Sequence, residues 1–409
     1  MRIVILGAGP AGVTAAETIR AADATASITL LSAEPYPPYS PPAMADYFAT
    51  GRERPLFWKG ADVAGTLGVD YRSATRATGL DLAAREVALE DGTTLPYDRL
   101  LLATGAGLYA PIGRSDLAGI GDFKSLSSAS AMMARVRDGA VRSALVVGNG
   151  FIGMEISLLL ADLGVRTTII GRRPWLMPRM LDPESAELAA GAMRERGVEL
   201  LLGVEATEFV GEEAVEGVRL ADGTVLRGDL CIAATGVRPN VSLLVEAGIE
   251  TKWGVVVDRF LRTSAPDVYA AGDLVEAPDL LTGKPYVHAI FPNAVEQGRI
   301  AGANLLGAEV AYAGAESMNS LKHLGLPLLA VGAAEGQREL RWSRGGVLRK
   351  AFLSDGRLVG FRLTGDISGA GYLHSLLLRR LPVERADAGL VAPGSRLASA
   401  IPAAAFHLS

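Results

Sequence analysis

Cysteine is almost absent: Cys231 is the only one in 409 residues. That excludes a disulfide within the chain, a cysteine zinc cluster and a dithiol redox pair. Histidine is scarce as well. The four present (His288, His323, His374 and His407) show no ligand spacing, so no protein-bound metal is expected. An excess of positive charge is missing too. Forty basic residues against 45 acidic ones give a net charge of −5 and a pI near 5.6, whereas a nucleic-acid-binding domain is usually basic overall. There is no long uncharged apolar run. The stretch Ala144 to Leu163 is broken by Asn149, Glu155 and Asp162, and a membrane span needs about 20 largely apolar residues. Arg2 before an apolar run imitates a signal peptide, but the glycines in that run form a nucleotide-binding pattern that cleavage would destroy. A cytoplasmic location is expected. With 49% apolar and 21% charged residues the composition is globular, and the length predicts two to three domains at roughly 150 residues each.

What is present is a large unit used twice. The apolar run Ile3-Val4-Ile5-Leu6 leads into Gly7-Ala8-Gly9-Pro10-Ala11-Gly12, then a helical stretch, then a strand over 27–31. Much later comes Leu100-Leu101-Leu102-Ala103-Thr104-Gly105. The second copy runs from Ala144-Leu145-Val146-Val147 into Gly148-Asn149-Gly150-Phe151-Ile152-Gly153, a helix and a strand over 167–170, with Leu230-Cys231-Ile232-Ala233-Ala234-Thr235-Gly236 as its late echo. Short apolar runs alternating with helical patterns read as buried parallel strands in βαβ units. In each triplet the first glycine permits the tight turn, the second lets backbone approach a pyrophosphate, and the third lets helix and strand pack closely. The diphosphate rests on the free N–H groups at the positive end of the helix. One such triplet is weak evidence; two, each between a strand and a helix, predict two nucleotide sites.

The residue ending the second strand separates the two sites. A carboxylate there accepts hydrogen bonds from an adenosine ribose. Glu34 lies 22 residues beyond Gly12, close to the expected spacing of about 20. In the second copy Gly171 lies 18 residues beyond Gly153 and is followed by Arg172 and Arg173. No carboxylate repels a 2′-phosphate, and two guanidiniums could hold one. That points toward NADP or dual use. The competing reading has the arginines facing solvent and NAD held by other contacts.

The order of these parts, with Tyr269-Ala270-Ala271-Gly272-Asp273 after them, resembles the two-dinucleotide flavoproteins of the glutathione-reductase fold. The resemblance covers most of the chain. It implies an α/β architecture with two Rossmann-like domains and a C-terminal α+β interface domain. The boundaries expected are 1–115 with 246–312 for FAD, 116–245 for NAD(P), 313–385 for the interface domain and 386–409 for a tail. By the same resemblance Gly7, Gly9, Ala11, Gly12, Glu34, Pro41, Ala77, Ala103, Thr104, Gly105, Gly272, Asp273 and Ala294 hold FAD, with Asp273 at the ribityl chain. Gly148, Gly150, Phe151, Ile152, Gly153, Glu155, Gly171, Arg172, Arg173, Thr235 and Gly236 hold NAD or NADP. Asn293 to Gly298 resembles the helix whose N-terminus faces the flavin pyrimidine. Phe151 falls where an aromatic often covers the flavin, and Glu155 where a glutamate contacts the carboxamide; plain core packing and a structural ion pair are the alternatives.

Departures from the family narrow the expectation. Disulfide reductases of this fold carry cysteines soon after the ribose acid, where this chain has Pro35-Tyr36-Pro37-Pro38-Tyr39-Ser40-Pro41-Pro42-Ala43-Met44. Cys231 lies in an apolar strand and reads as inert core. The segment Tyr39 to Pro42 resembles rubredoxin and ferredoxin reductases, although they usually have a basic residue where Pro41 stands and many have a lysine near Asp46. Similar flavin subunits occur in tungsten aldehyde oxidoreductases and phenylglyoxylate dehydrogenases. The resemblance implies a FAD-dependent NAD(P)H:acceptor oxidoreductase that exchanges hydride between nicotinamide and FAD. It also implies exchange of single electrons with an iron–sulfur or rubredoxin/ferredoxin-type partner, as the flavin subunit of a larger oxidoreductase complex. A stand-alone NAD(P)H oxidase and a flavin-bearing assembly subunit are the alternatives. In the C-terminal segment, 348–353 and 358–363 flank Ser354-Asp355-Gly356-Arg357 as a β-hairpin, and 372–381 reads as a helix. From Gln337 to Arg380 nine basic residues face three acidic ones. A basic face for an acidic partner is expected there, or simply a solvated one.

Overall fold

The computed structural model describes residues 1–321, 324–383 and 387–394. His323, His407 and most of the expected tail lie outside the described residues. The chain divides into two compact units. The first contains Met1–Tyr109, Lys124–Ser127 and Gly236–Glu316; the second contains Ala110–Phe123, Ser128–Thr235 and the chain from Ser317 onward.

The first unit is built on a five-stranded parallel sheet in the order Val268–Ala270, Arg99–Leu102, Arg2–Leu6, Ser27–Leu31, Asp70–Arg72. The continuous apolar run Ile3 to Leu6 is explained by burial on both faces. Ile3 and Ile5 join the core beneath the helices Pro10–Ala22 and Phe291–Leu305, while Val4 and Leu6 join the opposite core with Val87, Tyr97 and Leu244. The two helices meet backbone to backbone: a Cβ on Gly298 would lie 2.2 Å from the Ala11 carbonyl oxygen, and one on Gly302 2.8 Å from that of Ala15.

The second unit repeats the plan. Its parallel sheet runs Glu199–Leu202, Arg166–Gly171, Ser143–Val147, Leu230–Ala233, Ile120–Gly121, with the helix Phe151–Asp162 following Ser143–Val147. The outermost strand differs in origin. In the first unit it comes from late in the chain, and in the second from early in it.

The same unit contains an antiparallel sheet in the order Met318–Leu321, Leu328–Gly332, Arg357–Thr364, Val347–Ser354, Arg338–Arg344, with the helix Ala370–Leu378. The two long strands Val347–Ser354 and Arg357–Thr364 form the expected hairpin. Asp355 and Gly356 at its tip have φ of 50° and 69°, as a two-residue turn matched to the strand twist requires.

The expected basic face is corrected here. Arg349 and Arg362 are 0% exposed and Lys350 is 5% exposed. They lie on two adjacent interior strands whose residues are buried in near-continuous runs, so three of the nine cations cannot meet a partner. Lys350 Nζ donates to Asp182 Oδ1 at 2.8 Å and also pairs with Glu184 and Glu339. Arg341 donates to the same Glu184. This cluster bonds the C-terminal sheet to the helix Pro183–Glu195. Arg362 differs: its guanidinium donates to the carbonyls of Val331, Phe361 and Gly332, and burial pulls its pKa down to about 10.

Candidate dinucleotide sites

In the first unit, the strand Arg2–Leu6 turns through Gly7, at φ 109°, into a helix that opens with Gly9 and Pro10. Two of the three glycines are fixed by packing within the protein. A Cβ on Gly7 would lie 2.1 Å from Ala103 O, and one on Gly12 1.9 Å from Gly7 O. A Cβ on Gly9 would meet nothing within 4 Å. The chain therefore has no steric need of its own for glycine at position 9. The open space there suits a diphosphate approaching the helix N-terminus, which no side chain caps. The diphosphate of a dinucleotide would fit this cradle.

Around it the structure assembles most of the expected residues. Gly272, at φ 84°, places its Cα against Ala11: an added Cβ would lie 3.1 Å from Ala11 Cβ and 3.9 Å from Ala294 Cβ. Its N–H donates to Gln297 Oε1 at 2.7 Å. Thr104 accepts through its carbonyl from Asn240 Nδ2 at 2.8 Å, and Gly105 follows at φ 65°. Pro41 opens a short 3-10 turn over Pro41–Ala43. Ala77 begins a strand two residues beyond Thr75, whose N–H bonds to Ser32 O just past the second strand.

Two of the expected acids are already engaged. Glu34 Oε1 accepts from the N–H and Oγ of Ser127, at 2.9 and 2.8 Å, and Oε2 accepts from Tyr39 Oη at 2.6 Å. Burial first, and then the Glu34 charge, push the Tyr39 phenol well above its usual range, so it remains a donor. Asp273 Oδ2 accepts from Lys124 Nζ at 2.6 Å. Tyr39 and Gln297 lie in segments noted from the sequence but were given no role there, and Lys124 was not noted at all. Lys124 is 149 residues from Asp273, and no local spacing could have revealed it.

The second unit reproduces the cradle. A Cβ on Gly148 would lie 2.2 Å from Ala234 O and one on Gly153 2.0 Å from Gly148 O, while one on Gly150 would meet nothing within 4 Å. Phe151 opens the helix, Ile152 beside it is 44% exposed, and Glu155 one turn on is buried. Thr235 ends the second unit's stretch after the strand Leu230–Ala233, and the expected Gly236, at φ 129°, belongs to the first unit. Beyond the second strand the two units diverge. A Cβ on Gly171 would lie 2.5 Å from Asn149 Cγ. Asn149 is buried, and its Nδ2 donates to the carbonyls of Arg173 and Trp175 at 3.1 and 2.7 Å. Its carbonyl accepts from Met177 N–H. Arg172 and Arg173 are exposed. Arg172 stands 3.7 Å from Glu205, and both are more than half exposed.

Two cradles of the same construction on one chain are the mark of a dinucleotide oxidoreductase, and comparison with known proteins agrees. Residues 1–298 match the profile described as pyridine nucleotide-disulphide oxidoreductase. The chain belongs to this family. It is 30% identical to an NADH oxidase of Methanocaldococcus jannaschii over 89% of this chain and 88% of the relative. It is 32% identical to a rubredoxin-NAD(+) reductase of Pseudomonas putida over 75% of this chain and 80% of that one. The crystal structure of a ferredoxin reductase from Rhodopseudomonas palustris superposes with a TM-score of 0.85 and 26% identity, covering 93% of this chain and 95% of that one. The architecture is the α/β fold of FAD- and NAD(P)-binding oxidoreductases with a C-terminal domain, and this chain is an oxidoreductase that binds both.

The disulphide in the family's description finds no pair of thiols here. Cys231 is buried in the strand Leu230–Ala233, and burial pushes its thiol up to about 12, so it is protonated at neutral pH. Among the described residues no cluster of three or more potential metal ligands occurs, and no helix is long and apolar enough to cross a membrane.

Proposed function

We propose that the protein is a FAD-dependent NAD(P)H:acceptor oxidoreductase that passes electrons to a small iron–sulfur or rubredoxin-type carrier. The observation that carries this reading is the pair of open glycines, Gly9 and Gly150, each beside glycines fixed by internal packing. FAD would supply hydride acceptance from nicotinamide and one-electron release, which no side chain of this protein can provide. The residues of the chain bind and orient. The N-terminus of Pro10–Ala22 holds a diphosphate, Lys124 fixes the Asp273 carboxylate, and Ser127 and Tyr39 fix Glu34. The N-terminus of Phe291–Leu305 directs positive potential toward whatever lies before Asn293 and Ala294. Phe151 and Glu155 stand at the matching end of the second cradle.

The carrier as acceptor is supported by the likeness to a rubredoxin-NAD(+) reductase and a ferredoxin reductase. A second reading, direct delivery to oxygen, is favoured by the likeness to an NADH oxidase. Membership of a larger complex is supported by the likeness to the epsilon subunit of an NADH-dependent phenylglyoxylate dehydrogenase of Aromatoleum evansii, 29% identical over 93% of this chain and 92% of that one. A coupled assay separates the readings. The purified flavoprotein, given NAD(P)H and a small rubredoxin or ferredoxin without oxygen, should reduce the carrier in many turnovers. No carrier reduction, with brisk NAD(P)H consumption in air and no partner, would make it an oxidase.

A further inference from the structure

We propose that the second cradle selects the 2′-phosphorylated dinucleotide, NADP(H), and that Asn149 is the positioning residue that sets this choice. The proposal rests on the reading of that cradle as the nicotinamide dinucleotide site, and adds which dinucleotide it takes and why.

The end of the strand Arg166–Gly171 is where a carboxylate would bind the ribose 2′-hydroxyl of NAD. In this chain no side chain can stand there. A Cβ on Gly171 would come 2.5 Å from Cγ and 2.7 Å from Cβ and Nδ2 of Asn149. That side chain cannot swing aside cheaply. It is only 8% exposed, and its Nδ2 donates to two carbonyls, Arg173 O and Trp175 O. Moving it would strand those donors in a buried place. The first cradle has Ala8 in the same position, and its carboxylate, Glu34, stands three residues past the end of its strand.

The same hydrogen bonds place the cations. Asn149 lies between the first two glycines of the cradle, so its bond to Arg173 O holds the Arg172-Arg173 backbone directly beside the cradle. Gly203 N–H bonds to the same carbonyl and Val204 N–H to Gly171 O, which fixes the turn from the other side. Arg173 has no ion-pair partner among the described residues, and Arg172 has only the long, exposed one with Glu205. One buried amide thus removes the group that would repel a 2′-phosphate and anchors the main chain that carries two groups able to bind it.

The test uses the purified holoprotein and two probes, adenosine 2′,5′-bisphosphate and AMP, titrated by calorimetry. The bisphosphate should bind at least roughly tenfold tighter, as one charge-assisted contact implies, and Arg173→Ala should remove most of that margin. In steady state, Asn149→Ala should raise KM for NADPH by a larger factor than KM for NADH; a merely structural role would raise both alike. Equal binding of the two probes, or NADH reducing the flavin as efficiently as NADPH, would overturn the preference while leaving the oxidoreductase reading intact. If neither probe binds and neither dinucleotide bleaches the flavin, the assignment of the cradle itself falls, and the preference with it.

Discussion

The two cradles are nearly the same object up to their third glycine and different objects beyond it. In both, the first and third glycines are demanded by carbonyl oxygens about 2 Å from where a Cβ would be, and the middle one faces open space. Beyond the following helix the first cradle offers Glu34, clasped by Ser127 and Tyr39, and the second offers Gly171, closed off by Asn149. The lesson is that the glycines encode a generic diphosphate seat. The strand-end residues that differ between the two cradles lie beyond them, and the proposed choice of NADP(H) in the second cradle rests on the residue between its first two glycines.

The sharpest way to break the likeness is at the glycines themselves. Gly9→Val should leave the fold intact, because nothing lies within 4 Å of the new Cβ, yet cost FAD affinity by roughly tenfold to hundredfold through overlap with the ligand. It should purify with little yellow colour. Gly150→Val should keep the colour and lose reduction by nicotinamide. Gly7→Val, by contrast, should fail to fold, since its Cβ would lie 2.1 Å from Ala103 O at φ 109°. Flavin content by absorbance and melting curves separate the three outcomes.

Next in size is the cluster that bonds the antiparallel sheet to the helix Pro183–Glu195 within the second unit. Lys350→Met strands Asp182 beside Glu184 and Glu339 and should cost about 3–5 kcal/mol, as removal of one partner from a buried pair does; urea unfolding would measure it. Arg341 and Lys350 hold the Glu184 carboxyl down at about 2. Its contribution is therefore complete above the ordinary glutamate range and fades as pH falls toward 2. The gap between wild type and Lys350→Met should narrow over that interval. A gap unchanged at low pH would show that packing, not charge, holds the sheet.

Smaller effects sharpen the comparison at the strand ends. Lys124→Met leaves Asp273 without its cation and should weaken FAD binding by about tenfold, as loss of one charged hydrogen bond implies; flavin fluorescence on titration would report it. Unchanged affinity would mean that the pair is only structural. Least of all, breaking the exposed Arg172–Glu205 pair by Glu205→Gln should change stability by under about 1 kcal/mol, a shift visible or not in the same melting curves.

What could be read from the chain follows the range of the interactions. The glycine triplets, the parallel strands beside them and the Asp355-Gly356 turn are local, and each was legible because one residue type suits the backbone it must adopt. The clasp of Glu34 by Ser127, the pair Lys124–Asp273 and the bond from Gly272 N–H to Gln297 Oε1 join residues far apart in sequence, so no spacing announced them. The basic segment misled for a related reason. Counting Arg349, Lys350 and Arg362 as surface charge assumes that their strands lie at an edge, and they lie on two adjacent interior strands whose residues are buried in near-continuous runs. Gly171 was seen as a missing acid; its cause, the Asn149 side chain, became visible only in three dimensions.

The most direct test of two dinucleotide seats on one chain is anaerobic mixing of the purified yellow protein with NADPH or NADH while the flavin absorbance is followed. One equivalent of reduced nicotinamide should bleach one flavin per chain, faster with NADPH. Protein that carries no flavin even after incubation with FAD, or a flavin that neither dinucleotide bleaches, would contradict the account.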